Sequence, residues 1–145
     1  MLDRQQVATI QVECQQFLHK VTALMDNAQW EELANCYTED GVLFRPSDPE
    51  TAIEGRTAIL KSFTARAPRA SCHMLANTYC DVISKDKVIA TSRVWLITGE
   101  NSPALPAVAD SKLLVGSFVD TLLRHNDHWL IQCRKGGIEL NYNYA

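Results

Sequence analysis

The chain has 145 residues, enough to close one substantial hydrophobic core, and its 46% hydrophobic and 21% charged residues are globular rather than disordered composition. A net charge of −3 with scattered basic residues leaves no electrostatic footprint for nucleic acid. No apolar run approaches a membrane span of about 20 residues, so neither nucleic acid nor membrane is expected as a partner.

The polar start MLDRQQ carries no signal-peptide pattern. The five cysteines (Cys14, Cys36, Cys72, Cys80 and Cys133) are widely spaced with no CxxC pair, which argues against a disulfide framework or a zinc ribbon. Reduced thiols in a cytoplasmic protein are the expectation.

In chain order, residues 3–26 place Val7, Ile10, Cys14, Phe17, Leu18, Val21, Leu24 and Met25 at spacings of three and four, one apolar stripe on a long helix. Asn27 offers a break. A short second helix is predicted in AQWEELANCYTEDG, with Trp30, Leu33, Ala34 and Tyr37 on one face and Asp40-Gly41 as the turn that ends it. VLFRP (42–46) reads as a short strand stopped by Pro46, SDPETAIEG as loop, and RTAILKSFTARA (56–67) as a third helix ended by Pro68.

The period then changes from 3.6 to 2. CHMLANTYCDVIS, KVIATSRVWLITG, KLLVGSFVDTLLRH and HWLIQCRKGGIEL are predicted strands, with tight turns at Lys85-Asp86 and Asn126-Asp127 and a Pro-rich loop at 101–111. Gly136-Gly137 marks a bend in the last strand, and the tail ELNYNYA is expected to cap a pocket or pair across a dimer. Helices first and long strands after imply an α+β fold.

The segments ALMDNAQWEELANCYTEDGVLF, IEGRTAILKSF, CHMLANTYCDV and FVDTLLRHNDHWLIQCRK, in this order and spacing, resemble a SnoaL-like domain of the nuclear transport factor two-like superfamily over roughly residues 10–136. The resemblance implies a cone-shaped barrel in which a curved antiparallel sheet wraps around three N-terminal helices and leaves an internal pocket, here as one domain over residues 1–145. The superfamily includes scytalone dehydratase, ketosteroid isomerase, polyketide cyclases, a dehydrochlorinase and the non-catalytic small subunits of ring-hydroxylating dioxygenases, so fold alone does not fix chemistry.

In the dehydratase and dehydrochlorinase members an Asp at the end of the first helix meets a His on the strand after the third. Asp26 and His73 fall at those positions. A carboxylate beside an imidazole fixes its tautomer and lets the neutral ring take a proton from a carbon acid. The plainer alternative is that Asp26 ends a helix and His73 bonds a backbone carbonyl.

The chain departs from scytalone dehydratase in having Met25 where that enzyme has tyrosine, and no second histidine in LLVGSFVD. Arg124 or Arg93 would be the charge stabiliser of a dehydrochlorinase-like site. Asn77, four residues past His73, is expected on the same strand face, to hold a substrate carbonyl or to satisfy a neighbouring backbone group. Tyr37, Arg93 and Trp95 complete the candidate substrate-binding set, although the two faces of the strand 87–97 are both mixed and periodicity does not choose between them.

Asp120 and Arg134, counted back from the Asn126-Asp127 turn, are expected as a structural cross-strand ion pair, and Arg56 as the architectural start of the third helix. No His/Cys/Asp/Glu cluster has metal spacing, His125 and His128 only flank a turn, and no GxGxxG, Walker A or GxSxG motif occurs.

The expectation is therefore a small-molecule pocket protein, a lyase or isomerase working without a cofactor or metal. His73 and Asp26 would act on a small hydrophobic or aromatic ligand, in a homodimer. The alternative is a non-catalytic ligand-binding module or a small subunit of a dioxygenase-like complex.

Overall fold

The computed structural model describes residues 1–143. Helix α1 (Arg4–Asp26) opens with a capping box: the Asp3 carboxylate accepts the Gln6 N–H at 2.8 Å and the Gln6 side chain accepts the Asp3 N–H at 2.9 Å. Its stripe of Ile10, Cys14, Leu18, Val21, Leu24 and Met25 is buried, and Asn27 caps its end.

Helix α2 (Trp30–Ala34) stops well short of the predicted one. The residues that follow, rich in poor helix formers such as Asn, Thr and Asp, run instead as strand β1 (Tyr37–Arg45). Asp40-Gly41 therefore lies inside a strand and makes no turn; the positive-φ glycine is Gly55 (φ 92), immediately before helix α3 (Arg56–Thr64). The segment expected as loop is strand β2 (Asp48–Glu54), almost wholly exposed and paired antiparallel to β1 at the sheet edge. An edge strand accepts Pro49 and needs no apolar alternation, so it left no signal to read.

The four long strands appear where expected: β3 (Ala70–Ser84), β4 (Lys87–Gly99), β5 (Lys112–His125) and β6 (His128–Asn143). Asn126 and Asp127 have φ of 48° and 62°, the left-handed pair a two-residue hairpin favours. The sheet order is β2-β1-β6-β5-β4-β3, antiparallel throughout except for the parallel β1–β6 pair. It is a curved, unclosed α+β cone packed around the helices, as the sequence implied.

Register sorts the two faces. Val88, Ala90, Ser92 and Val94 of β4 point inward and are buried, while Arg93 and Trp95 point outward and are exposed. Two of the irregularities in strand pairing bear on the shape of the cone. Pairing of β3 with β4 slips between Ala76 and Tyr79, where Asn77 takes φ 52, and the freed Thr78 and Cys80 carbonyls accept the Gln15 and Gln11 amides of α1. Pairing of β5 with β6 slips at Val115–Gly116, where the backbones come so close that a Cβ on Gly116 would lie 2.1 Å from the Gly137 oxygen. The bulge therefore sits opposite Gly116, beside the Gly136-Gly137 bend, and only glycine fits there. Tyr144 and Ala145, the end of the predicted cap, lie outside the described residues.

Candidate active site

The helices and the inner face of the sheet enclose a cavity of about 220 Å³. Met25 of α1, Leu33 of α2, Phe63 of α3 and Leu96, Leu114 and Phe118 of the sheet supply much of its apolar wall. Trp30 and Phe63 stack at 5.3 Å with a 7° interplanar angle, which locks α2 against α3 behind that wall.

Into this wall the fold sets an imidazole. Asp26 is the last residue of α1, where a carboxylate faces the negative end of the helix dipole, an arrangement unfavourable by about 0.3–1 kcal/mol. Three donors from β3 offset it. Ser71 Oγ donates to Asp26 Oδ1 at 3.0 Å, the His73 backbone N–H donates to Oδ2 at 2.8 Å, and His73 Nδ1 lies 2.5 Å from Oδ1. An ionised carboxylate only accepts, so Nδ1 is the nitrogen that carries the proton, and in the neutral ring the lone pair is then on Nε2. His73 lines the cavity, its side chain 12% exposed, and Nε2 has no partner among the described residues.

Tyr37, the first residue of β1, also lines the cavity. Its backbone carbonyl accepts two bonds from Arg56, at 2.6 and 3.0 Å, which fixes the start of α3 against β1. Burial raises the Tyr37 pKa above the ordinary phenol value, so the hydroxyl stays an O–H donor.

The other sequence candidates lie elsewhere. The β3 slip puts Asn77 on the exposed side, so the strand-parity argument that placed it with His73 fails. Arg93 is outside the cone in an ion pair with Glu139, and Trp95 is on the same outer face. Arg124 pairs with Glu13 at 3.0 Å and covers the Trp129 ring, away from the cavity lining.

Asp120 and Arg134 face each other across β5 and β6 in a bidentate pair of 2.7 and 2.9 Å, with the guanidinium 4.1 Å over Phe118. Burial works against the Arg134 cation, but Asp120 outweighs it and holds its pKa above the usual value. Among the described residues no group of three or more His, Cys, Asp or Glu is placed to hold a metal ion, and no helix is long and apolar enough to cross a membrane.

Sequence reasoning missed Ser71, Arg45 and Arg66. The arginines stand at the end of β1 and just beyond α3, and both line the cavity. Arg45 follows directly on the apolar run VLF, the one local hint that its stem enters the core.

An α+β cone enclosing an apolar cavity with an oriented histidine defines a class of small-molecule pocket proteins. The SnoaL-like domain family matches residues 6–135, and the chain belongs to that family. Among solved structures it is similar in fold to a Novosphingobium aromaticivorans protein provisionally named scytalone dehydratase, with TM-score 0.83, 19% identity, and coverage of 99% of this chain and 93% of that one. A hexachlorocyclohexane dehydrochlorinase of type 2 aligns with TM-score 0.80 and 14% identity over 99% of this chain and 94% of its own. ActVI-ORFA from Streptomyces coelicolor aligns with TM-score 0.71 and 20% identity over 88% and 96%. No curated protein matches by sequence.

Proposed function

We propose that the protein is a lyase or isomerase that removes a proton from carbon in a small molecule with a cyclic or aromatic body. The observation that carries this reading is the His73 imidazole, pinned through Nδ1 to Asp26 with its Nε2 unpartnered at an apolar cavity. Such a ring takes the proton at Nε2 as the C–H bond breaks, and the electron pair moves into an adjacent carbonyl or expels a leaving group from the neighbouring carbon. Asp26 stabilises the imidazolium so formed, in surroundings where charge is weakly screened. The Tyr37 hydroxyl is the donor for oxygen charge developing on the substrate. Both the proton acceptor and its support come from this chain. The dehydratase and dehydrochlorinase names among the structural neighbours agree with elimination chemistry.

The test is proton exchange. Cyclic ketones and β-substituted cyclic carbon acids incubated with the protein in D2O should lose their acidic C–H signals, and His73→Gln should abolish that loss. Exchange that persists unchanged in His73→Gln, or that never exceeds buffer, sinks the reading and leaves a ligand-binding module.

The same proposal includes a homodimer. Met74, Trp95, Val115 and Leu140 are directly paired across β3, β4, β5 and β6, and so form one apolar row on the outer face. Met74, Trp95 and Leu140 in that row are 63, 51 and 61% exposed, a patch a second copy would cover. Sedimentation should give a dimer for the wild type and a monomer for Trp95→Glu; a wild-type monomer at all concentrations refutes it.

A further inference from the structure

Two of the arginines at the cavity, Arg45 and Arg66, carry charge that no carboxylate among the described residues neutralises. Arg45 donates one bond, from Nη2 to the Ser62 carbonyl at 2.5 Å, and its Nε–H is buried with no acceptor. It is the single buried side-chain polar atom without a partner among the described residues. The Arg66 side chain makes no hydrogen bond or ion pair among the described residues and rests 4.6 Å over the Phe63 ring. Its side chain keeps exposed surface, yet its head lies against the cavity wall. That burial, and then repulsion from Arg45, lowers its pKa to about 10. A cation beyond a helix end complements the helix dipole, which accounts for one arginine after α3 but not for a second brought in from β1 against Coulomb repulsion. Native folds seldom leave a buried guanidinium N–H without an acceptor, because the lost solvation is not returned.

The neighbouring charges do not help. Arg134, also on the lining, is paired bidentately with Asp120, and Asp26, off the lining, is engaged by β3. The lining itself includes no Asp or Glu.

We propose that Arg45 and Arg66 form an oxyanion subsite that binds the carboxylate of the substrate, with its apolar body filling the cavity towards His73. This rests on the proposed lyase or isomerase reading for the role of His73, and it deepens that reading by naming the substrate class. Planar guanidinium forks match a carboxylate in both geometry and charge. Size restricts the body. An apolar cavity of about 150 Å³ holds one benzene ring, so a cavity of about 220 Å³ takes a single ring with a short substituent. A monocyclic carboxylate is therefore the substrate class.

Benzoate and its neutral isostere benzamide separate charge from shape. Titrations followed by the Arg45 Nε–H and backbone amide resonances should show benzoate binding about tenfold tighter than benzamide, the scale of one charge-assisted bond. Benzoate should also move the Arg45 Nε–H signal downfield. Arg66→Met, at an exposed position where folding is not at stake, should remove that preference and leave benzamide affinity unchanged. Arg45→Lys, which keeps charge but not the fork, should reduce it. Equal affinity for the two probes, no binding of either, or a preference that survives Arg66→Met overturns the proposal. Because the preference must persist in His73→Gln, loss of exchange chemistry alone would sink the catalytic reading and leave the subsite standing. Exchange confined to neutral substrates would do the reverse.

Discussion

Two carboxylates in this fold hold a nitrogen base, and they do so differently. Asp120 and Arg134 are 0 and 2% exposed, every oxygen of the carboxylate engaged by the fork, with an aromatic face closing the guanidinium from the other side. Asp26 and His73 join a helix end to a strand, keep 21 and 12% of their side-chain surface, and engage only one of the two ring nitrogens. In the first pair both carboxylate oxygens are spent on the guanidinium. In the second, the carboxylate takes three donors from β3, one of them the ring's Nδ1, and the ring's other nitrogen stays open. Mutual engagement suits an architectural pair, whereas a ring with one open nitrogen suits the proposed proton transfer.

Breaking the saturated pair should have the largest effect. Asp120→Ala strands a buried cation and should destabilise the fold by about 3–5 kcal/mol, read as a lowered denaturant midpoint. The paired change Asp120→Leu with Arg134→Met should recover most of that loss, because the pair is worth little beyond mutual satisfaction. A single variant as stable as the wild type would mean that water reaches the pair.

His73→Gln should behave in the opposite way, with exchange falling by about 10²–10⁴-fold and the denaturant midpoint nearly unchanged. Asp26→Asn tests orientation rather than proton capacity. A carboxamide offers one acceptor oxygen where three donors now converge, so one of them must go unmet or the ring must turn its tautomer. The expected outcome is a switch to the Nε2–H tautomer in ¹⁵N imidazole spectra and a loss of about 10² in exchange, less than the roughly 10⁴ seen where a carboxamide fixes the wrong tautomer in a triad. An unchanged tautomer would show that Asp26 is not what orients the ring.

The two pairs were not equally legible in the sequence. Counting outward from the Asn126-Asp127 turn brings Asp120 and Arg134 near each other; a slip in the β5–β6 pairing between Thr121 and Leu122 then sets Arg134, rather than Cys133, directly opposite Asp120. Asp26 and His73 are 47 positions apart, and nothing in local pattern joins them; family resemblance alone suggested that pair. The parity argument for Asn77 ran through the β3 slip and failed there. The face of β4 could not be chosen because Arg93 and Trp95 are as compatible with a pocket as with an outer surface. β2 stayed hidden because an exposed edge strand has no periodic signal, and α2 was drawn too long because Tyr37 fits a helix face as well as a strand start. Arg45 and Arg66 become neighbours only when β1 and α3 close over the cavity.

The smallest predicted effect sharpens the comparison most. Ser71→Ala deletes the one neutral hydroxyl donor on Asp26 and leaves both His73 bonds in place. A neutral, partly buried bond of this kind is worth about 0.5–1.5 kcal/mol. If Ser71 serves only the fold, that loss should appear in the denaturant midpoint and leave exchange untouched. If its function is to hold the carboxylate at the angle that aims Nε2 into the cavity, exchange should fall about two- to tenfold, with the Nδ1–H tautomer retained, because the two bonds that select it survive. Ser71→Thr, which keeps the hydroxyl on a β-branched frame suited to a strand, should restore the rate. Failure of that rescue, with Ser71→Ala already as active as wild type, would place Ser71 with Asp120 and Arg134 among the groups that merely close the cone.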